Sequence, residues 1–318
     1  MPHQKPTIVI TGASSFMGCH LARRFSKRGW RTFGTGRYST SQYKNLSAQR
    51  IGLVGQETRW EVLDIEDKNA VRKFIENVKP QFWIHHAGYA TDYSSADYDI
   101  HQANKVNVKP IEYTFEALAQ NDCKGVVVTG SSMEYSDTDR PHLETDLCTP
   151  STPYGQSKLA ETQTALDLAI RLGMPVRVAR LFIPFGPLDN PGKLIYHVLG
   201  NLGQGKPVDL SPCEQRRDFV YIDRVVDAYE LLINDLDRGE TDIFNLSSGQ
   251  ATTIRDVVNL VAEGMGASKS LLNFGARPMR AGEQMISYGS NHKARTTLGW
   301  VPGDIKDGIS SLIKDFRK

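Results

Sequence analysis

The stretch TPYGQSKLAE sets Tyr154 and Lys158 four residues apart. On a helix that spacing puts both side chains on one face, a turn apart. It is the one Tyr-x-x-x-Lys in the chain. A tyrosine can give or take a proton at a carbonyl or hydroxyl group if its pKa is drawn down from about 10. A lysine ammonium one turn away does that electrostatically, and can also hold the ribose of a nicotinamide nucleotide. The plainer alternative is an amphipathic helix with a surface lysine. Upstream, VVVTGSSMEY ends a β-branched run with Ser131 and Ser132. Ligands of an open parallel sheet bind at the carboxyl ends of its strands, so these serines stand where a substrate oxygen would be met. Their commoner role is a turn or a helix cap.

A second chemical feature lies near the N-terminus, in TIVITGASSFMGCHLARRF. A β-branched run turns at Gly12 and enters a helical pattern. A helix N-terminus offers unpaired N–H groups and a positive dipole end to a pyrophosphate. Gly12 can supply the tight turn and Gly18 the close helix–strand packing. Ser15 stands between them, where a second glycine is usual. At the end of the second strand, GTGR supplies Gly36 and Arg37 in place of the acidic residue that would bond a ribose 2′-hydroxyl. A 2′-phosphate is favoured by Arg37 and repelled by a carboxylate, so NADP is expected in preference to NAD. Arg37 as a solvated surface charge is the alternative. Asp64, after the third strand, has two readings: a bond to the adenine amine, or a cap on the next helix. Ile65 beside it and Ala87, closing the fourth strand, are the remaining expected cofactor contacts.

The elements that must position these residues alternate along the first half. Strands are expected at 7–11, 30–37, 59–65, 81–88, 124–132 and 175–182, with helical patterns between them. One long helical segment is expected from IHQANKVNV to EALAQND, and another at 153–173. Such alternation means a parallel sheet covered by helices on both faces. The fold class is therefore α/β: a Rossmann-type, doubly wound parallel sheet with a smaller, mixed α/β C-terminal substrate domain. After residue 183 the chain turns rich in Pro and Gly. The expected division is 1–182 for cofactor and 183–318 for substrate, the second part closing a cleft over the first and part of 217–250 returning to it.

Composition narrows the function. The 318 residues carry 38 basic and 36 acidic side chains, for a net charge of +2, so no nucleic-acid surface is expected. Cys19, Cys123, Cys148 and Cys213 lie far apart with no Cys-x-x-Cys pair, which predicts neither a disulfide framework nor a metal site and fits a reducing cytoplasm. MPHQKPTIVI has no long apolar core, and no apolar run nears 18 residues, so neither a signal peptide nor a membrane span is expected.

Taken in order, TGASSFMG, Asn107 in VNVKP, SSMEY, PYGQSK, RRDFVYIDRVVDAY and RAGEQMISYGSNHKARTTLGW resemble the extended short-chain dehydrogenases/reductases, in their nucleotide-sugar epimerase/dehydratase/reductase branch. The resemblance spans nearly the whole chain, and its C-terminal part looks most like the 4-keto-6-deoxyhexose reductases. It implies Tyr154 as general acid/base, Lys158 as the group that lowers its pKa and binds the nicotinamide ribose, and Ser131 as partner of the reacting oxygen. Asn107 would support them. Gly12, Ser15, Phe16, Met17 and Gly18 would line the pyrophosphate. Ser132, Arg217 and Arg280 would meet the substrate, the arginines at its diphosphate or nucleoside, unless they are a pair of surface salt bridges. A homodimer through the helical segments at about 95–120 and 153–172 follows by analogy alone.

Departures from the pattern matter as well. The family's 4,6-dehydratases carry an acidic pair after the catalytic Thr, where this chain has Ser132 and Met133; Glu134 follows in another phase. Ile183 replaces an Asn common in the family. The expected function is NADPH-dependent reduction of a nucleotide-linked 4-keto-6-deoxyhexose. A nucleotide-sugar 4-epimerase is the alternative, and a non-catalytic NADP sensor a further one. Ser15→Gly tests whether the hydroxyl at the middle position is a required ligand. NADP affinity should fall by less than about tenfold, or about 1.4 kcal/mol, in a fluorescence titration; a much larger loss would make it one.

Overall fold

The computed structural model describes residues 5–93, 95, 97–279 and 283–317. The chain divides into two compact units. The first comprises residues 1–136, 146–180 and 226–244, and the second 137–145, 181–225 and 245–318.

The first unit is built on a sheet whose strands are β1 (Thr7–Ile10), β2 (Arg31–Gly36), β3 (Arg59–Val62), β4 (Phe82–His85), β5 (Gly125–Ser131) and β6 (Val176–Leu181). Asp242–Leu246 is the outermost strand beyond β6, and the order across the sheet continues β5, β4, β1, β2, β3. β1 pairs in parallel with both β2 and β4, in the registers Ile8–Thr32 and Ile8–Phe82. Strands that follow β1 therefore build outward in two directions, and the reversal falls between β1 and β4. Ligands bind at that point in doubly wound sheets. TIVI is buried at every position, as a strand covered on both faces must be.

The helices are α1 (Phe16–Lys27), α2 (Asn45–Val54), α3 (Lys68–Val78), α4 (Ile100–Ala103), α5 (Lys109–Gln120) and α6 (Pro153–Leu172). α2 lies in a stretch where no helix is expected from the sequence; it buries only Val54, so it lacks the apolar stripe that would reveal it. The single long helix expected from residue 100 onward is interrupted. Asn104–Val108 forms a π turn, with the Lys109 N–H bonded to the Asn104 carbonyl. Pro110 follows at once and has no N–H to give, so the ladder must adjust there. α6 has both terminal signals: the Thr152 hydroxyl accepts from the Gly155 N–H at 3.1 Å, and Gly173 closes it in a left-handed conformation. Ile111, Phe115 and Leu118 from α5 and Ala165, Leu168 and Ala169 from α6 share one core with Val126, Val128 and Trp83 of the sheet.

The second unit has its own core, in which Val198, Leu199 and Leu202 pack with Val257, Val258, Val261, Ile309 and Leu312. Its organising group is Asp218. The buried carboxylate accepts the N–H groups of Ser248, Gly249 and Gly289 at 2.6, 3.1 and 3.3 Å. It thereby gathers loops that line a cavity of about 510 Å³, with Pro141, Asn291 and Arg295.

The turn after β1 depends on two glycines. Gly12 has φ +68°, and a Cβ there would lie 2.9 Å from the Ala87 Cα. A Cβ on Gly18 would lie 2.2 Å from the Gly12 carbonyl oxygen. Gly18→Ala must therefore push α1 off the sheet, and its urea midpoint should fall by an amount equivalent to about 1–3 kcal/mol. An unchanged midpoint would show that the turn yields freely.

Candidate active site

The carboxyl end of β5 and the turn that follows it pack on α6. Gly155 makes this possible. A Cβ there would lie 2.1 Å from the Met133 carbonyl oxygen, so only glycine lets the loop after β5 lie on the first turn of α6. That close approach brings Ser131 to the side of Tyr154, where its hydroxyl favours the ionised phenol against the larger, opposite effect of burial. The Ser131 hydroxyl also accepts the Met133 N–H at 3.2 Å, and its own N–H donates to Glu134 at 2.8 Å. Serine at this place is thus a cap and a partner of Tyr154 at once. Ser132 opens the short 3₁₀ turn that follows and is half-buried.

Tyr154 sits among aromatic rings, with Tyr93 and Tyr98 at centroid distances of 5.4 and 5.6 Å. Burial pushes its phenol above the ordinary tyrosine range, and the Glu161 charge adds to that. Burial is thus the largest influence on the phenol in this arrangement. Lys158, one turn along, has close partners of its own. Lys158 Nζ donates to the Thr129 carbonyl at 2.7 Å and forms a close ion pair with Glu161, both side chains being almost fully buried. Burial raises the Glu161 carboxyl to about 7, against the opposing pull of Lys158. Asn107 reaches the same helix from the π turn: its amide donates to the Ser157 hydroxyl at 3.0 Å, while its Oδ1 accepts the Tyr89 N–H.

Glu134 is closed to catalysis. It is fully buried, it accepts the Ser131 N–H, and its other oxygen pairs with Arg180 at 2.8 Å.

At the turn, Ser15 caps α1 by accepting the Gly18 N–H at 3.0 Å. Its hydroxyl also lies 2.9 Å from His86 Nε2. The Phe16 and Met17 side chains are buried, so their part in any cradle falls to the backbone. Ala87 and His86 are anchored through their N–H groups to the Thr11 hydroxyl, both at 2.9 Å. Ile65 is buried and its carbonyl accepts from the Tyr113 hydroxyl. Asp64 closes a local turn by accepting the Glu66 N–H, and the cap of α3 is Asp67 instead. Arg37 is exposed beside the Tyr38 ring, and no carboxylate occurs from Gly36 to Lys44.

Arg217 belongs to the second unit, in the short strand Arg216–Arg217. There it donates to the Gln284 carbonyl at 2.6 Å and pairs with Glu283 at 3.5 Å. Arg280 lies outside the described residues. Glu161, Thr129 and His86 are the site groups that the sequence reading missed. For Glu161 the available signal is an acid three residues after Lys158, within reach on a helix. No such signal marks Thr129 or His86, whose partners are distant in sequence.

Comparison with known proteins agrees with this fold. Residues 8–247 match the model of the NAD dependent epimerase/dehydratase family. The CDP-abequose synthase of Salmonella muenchen is 25% identical over 308 residues, covering 96% of this chain and 96% of the relative. A UDP-glucose 4-epimerase of Arabidopsis thaliana is 23% identical over 345 residues, covering 98% and 93%. Among solved structures, the UDP-glucose 4-epimerase of Thermotoga maritima with UDP-glucose superposes with a TM-score of 0.85 at 22% identity, covering 98% of each chain. The dTDP-glucose 4,6-dehydratase of Streptomyces venezuelae gives 0.83 at 19% identity, covering 98% and 97%.

The chain belongs to the NAD dependent epimerase/dehydratase family. It is an enzyme, an oxidoreductase or an epimerase, that works with a nicotinamide dinucleotide. The donor set fits such a group: a glycine turn onto a helix N-terminus at one end, and a buried lysine beside a tyrosine at the other. No helix among the described residues is long and apolar enough to cross a membrane.

His86 is held neutral. Burial and the Lys158 charge lower its pKa to about 4. His85, fully buried, is lowered to about 3 by the same causes. Both fall below the unfolded value near 6.5, so their contribution to stability is complete above about pH 6.5 and is lost as pH falls toward 4. An NMR titration of imidazole-labelled protein should find His86 unprotonated at pH 5.5. A midpoint between 6 and 7 would contradict its burial beside a cation.

Proposed function

We propose that the enzyme reduces the keto group of a nucleotide-linked 4-keto-6-deoxyhexose, using NADPH and releasing NADP. The observation that carries this reading is that the chain lacks the acidic pair that dehydration needs and the acidic residue after β2 that a ribose 2′-hydroxyl would call on. Elimination of water across a sugar ring needs an acid beside the reacting carbons. The chain has Ser132 and Met133 there, and Glu134 is spent on Arg180 and the Ser131 N–H. The segment after β2 has no acidic residue to bond a 2′-hydroxyl, and offers Arg37 and Lys44 to a 2′-phosphate. A phosphorylated cofactor suits a reaction that consumes its reducing power.

The chain's residues then divide the work. Gly12, Ser15 and the first turn of α1 would hold the pyrophosphate, and Lys158 the nicotinamide ribose. Bound there, the reduced cofactor supplies a hydride to the carbonyl carbon. Tyr154 gives its phenolic proton to the carbonyl oxygen as negative charge gathers on it, completing the hydroxyl. A raised phenol pKa keeps that proton on Tyr154 until it is needed. The Ser131 hydroxyl, beside Tyr154, would orient the same oxygen. The Lys158 ammonium stabilises the tyrosinate left behind, and Glu161 and Thr129 fix where that ammonium lies. Arg217 would meet the diphosphate of the substrate.

A nucleotide-sugar 4-epimerase is the second reading, favoured by likeness to the plant and Thermotoga epimerases. It uses the same Tyr154 and Ser131 and leaves the cofactor unconsumed.

Tyr154→Phe should lower the rate of NADPH-dependent reduction by about 10²–10⁴-fold across a panel of nucleotide 4-keto-6-deoxysugars, with NADPH affinity nearly unchanged. Reduction at the wild-type rate would remove Tyr154 from the mechanism.

A further inference from the structure

Ser15 is one end of a chain of side chains that runs from the half-buried turn to the buried core. Its Oγ lies 2.9 Å from His86 Nε2, and His86 Nδ1 lies 3.0 Å from the Thr129 hydroxyl. That hydroxyl lies 2.7 Å from the Tyr229 phenol oxygen. Tyr229 is fully buried, on the helix Ile222–Asp235, and among the described residues Thr129 is its hydrogen-bond partner.

Each contact has two possible directions, but the hydrogens must be shared out consistently. Suppose that the neutral His86 carried its proton on Nδ1. It would donate to Thr129, and Thr129 would donate to Tyr229. The phenolic hydrogen of Tyr229 would then be buried with nothing to accept it, which is costly. Ser15 would turn its single hydrogen toward His86, away from the turn. The reverse order leaves no buried donor unpaired. Tyr229 donates to Thr129, Thr129 to His86 Nδ1, and His86 Nε2–H to Ser15. Ser15 then accepts twice, from His86 and from the Gly18 N–H, and its own hydrogen is free.

We propose that Tyr229, Thr129 and His86 form a one-way hydrogen-bond relay that presents the Ser15 hydroxyl as a donor to a phosphate of the dinucleotide. The proposal rests on the reading of the Gly12–Gly18 turn as the phosphate cradle. A phosphate accepts hydrogen bonds, so a serine at this position serves it only if its proton points outward. His86 is a positioning residue here: it acts through Ser15. Its neutrality keeps Nδ1 an acceptor, as the relay requires. Thr129 gains a double role, since its carbonyl grips Lys158 while its hydroxyl carries the relay.

Two measurements test this. In the wild-type protein, ¹⁵N correlation spectra should assign His86 to the Nε2–H tautomer; the Nδ1–H tautomer overturns the relay. NADPH affinity is then measured by fluorescence for wild type, Ser15→Gly, His86→Phe and the double variant. Each single variant should weaken binding by about three- to tenfold, and the double variant by no more than about tenfold, because both remove one donor. Losses that multiply in the double variant, or a His86→Phe variant that binds like wild type, overturn the proposal. A wild type that binds neither NADPH nor NADH overturns the cradle reading itself, whichever tautomer His86 has.

Discussion

A buried ammonium is the constraint on which the site depends. Lys158 lies almost wholly inside the protein, and a charge there must be met by acceptors. Thr129 supplies a carbonyl oxygen from β5, and Glu161 supplies a carboxylate from the next turn of α6. These partners fix the rotation of α6 against the sheet. Once that rotation is set, Tyr154 must lie one turn earlier on the same face, and Gly155 must face the loop after β5. The missing Cβ of Gly155 then lets Ser131 reach the phenol. The placement of Tyr154 is thus a consequence of how one cation is satisfied.

The sheet supplies the other half of the geometry. Its strand order reverses between β1 and β4, so the turn at Gly12 and the segment His86–Ala87 end side by side. The Thr11 hydroxyl ties them by accepting two consecutive N–H groups. Thr129 then links the switch point to α6, because it belongs to both hydrogen-bond systems. A change at Ser15 and a change at Lys158 are therefore expected to be felt at one shared residue.

Much of this is legible in the sequence because it is local. The β-branched runs, the Gly12 turn, the Tyr–Lys spacing and the Thr152 and Gly173 signals each depend on residues a few positions apart. The six expected strands all form, with no end shifted by more than three residues. What escapes is set by distant partners. His86 is recognisable only once β1, β4 and β5 are adjacent. The spacing shows the lysine one turn from Tyr154 and not that the pair would be buried with a carboxylate engaging the lysine. The interruption at Asn104–Val108 could have been read from Pro110, whose missing N–H forbids a regular helix there. α2 could not, since its exposed faces carry no apolar period.

Reductase and epimerase share every one of these side chains. They differ in what becomes of the cofactor's reducing power, and that is what the segment after β2 bears upon. The most direct measurement is the stoichiometry of NADPH oxidised per nucleotide 4-keto-6-deoxysugar converted by the wild-type enzyme, followed by absorbance and by sugar analysis on the same samples. One NADPH consumed for each 6-deoxysugar formed is the predicted result. Conversion of a nucleotide sugar to its 4-epimer with no net loss of NADPH would contradict the account.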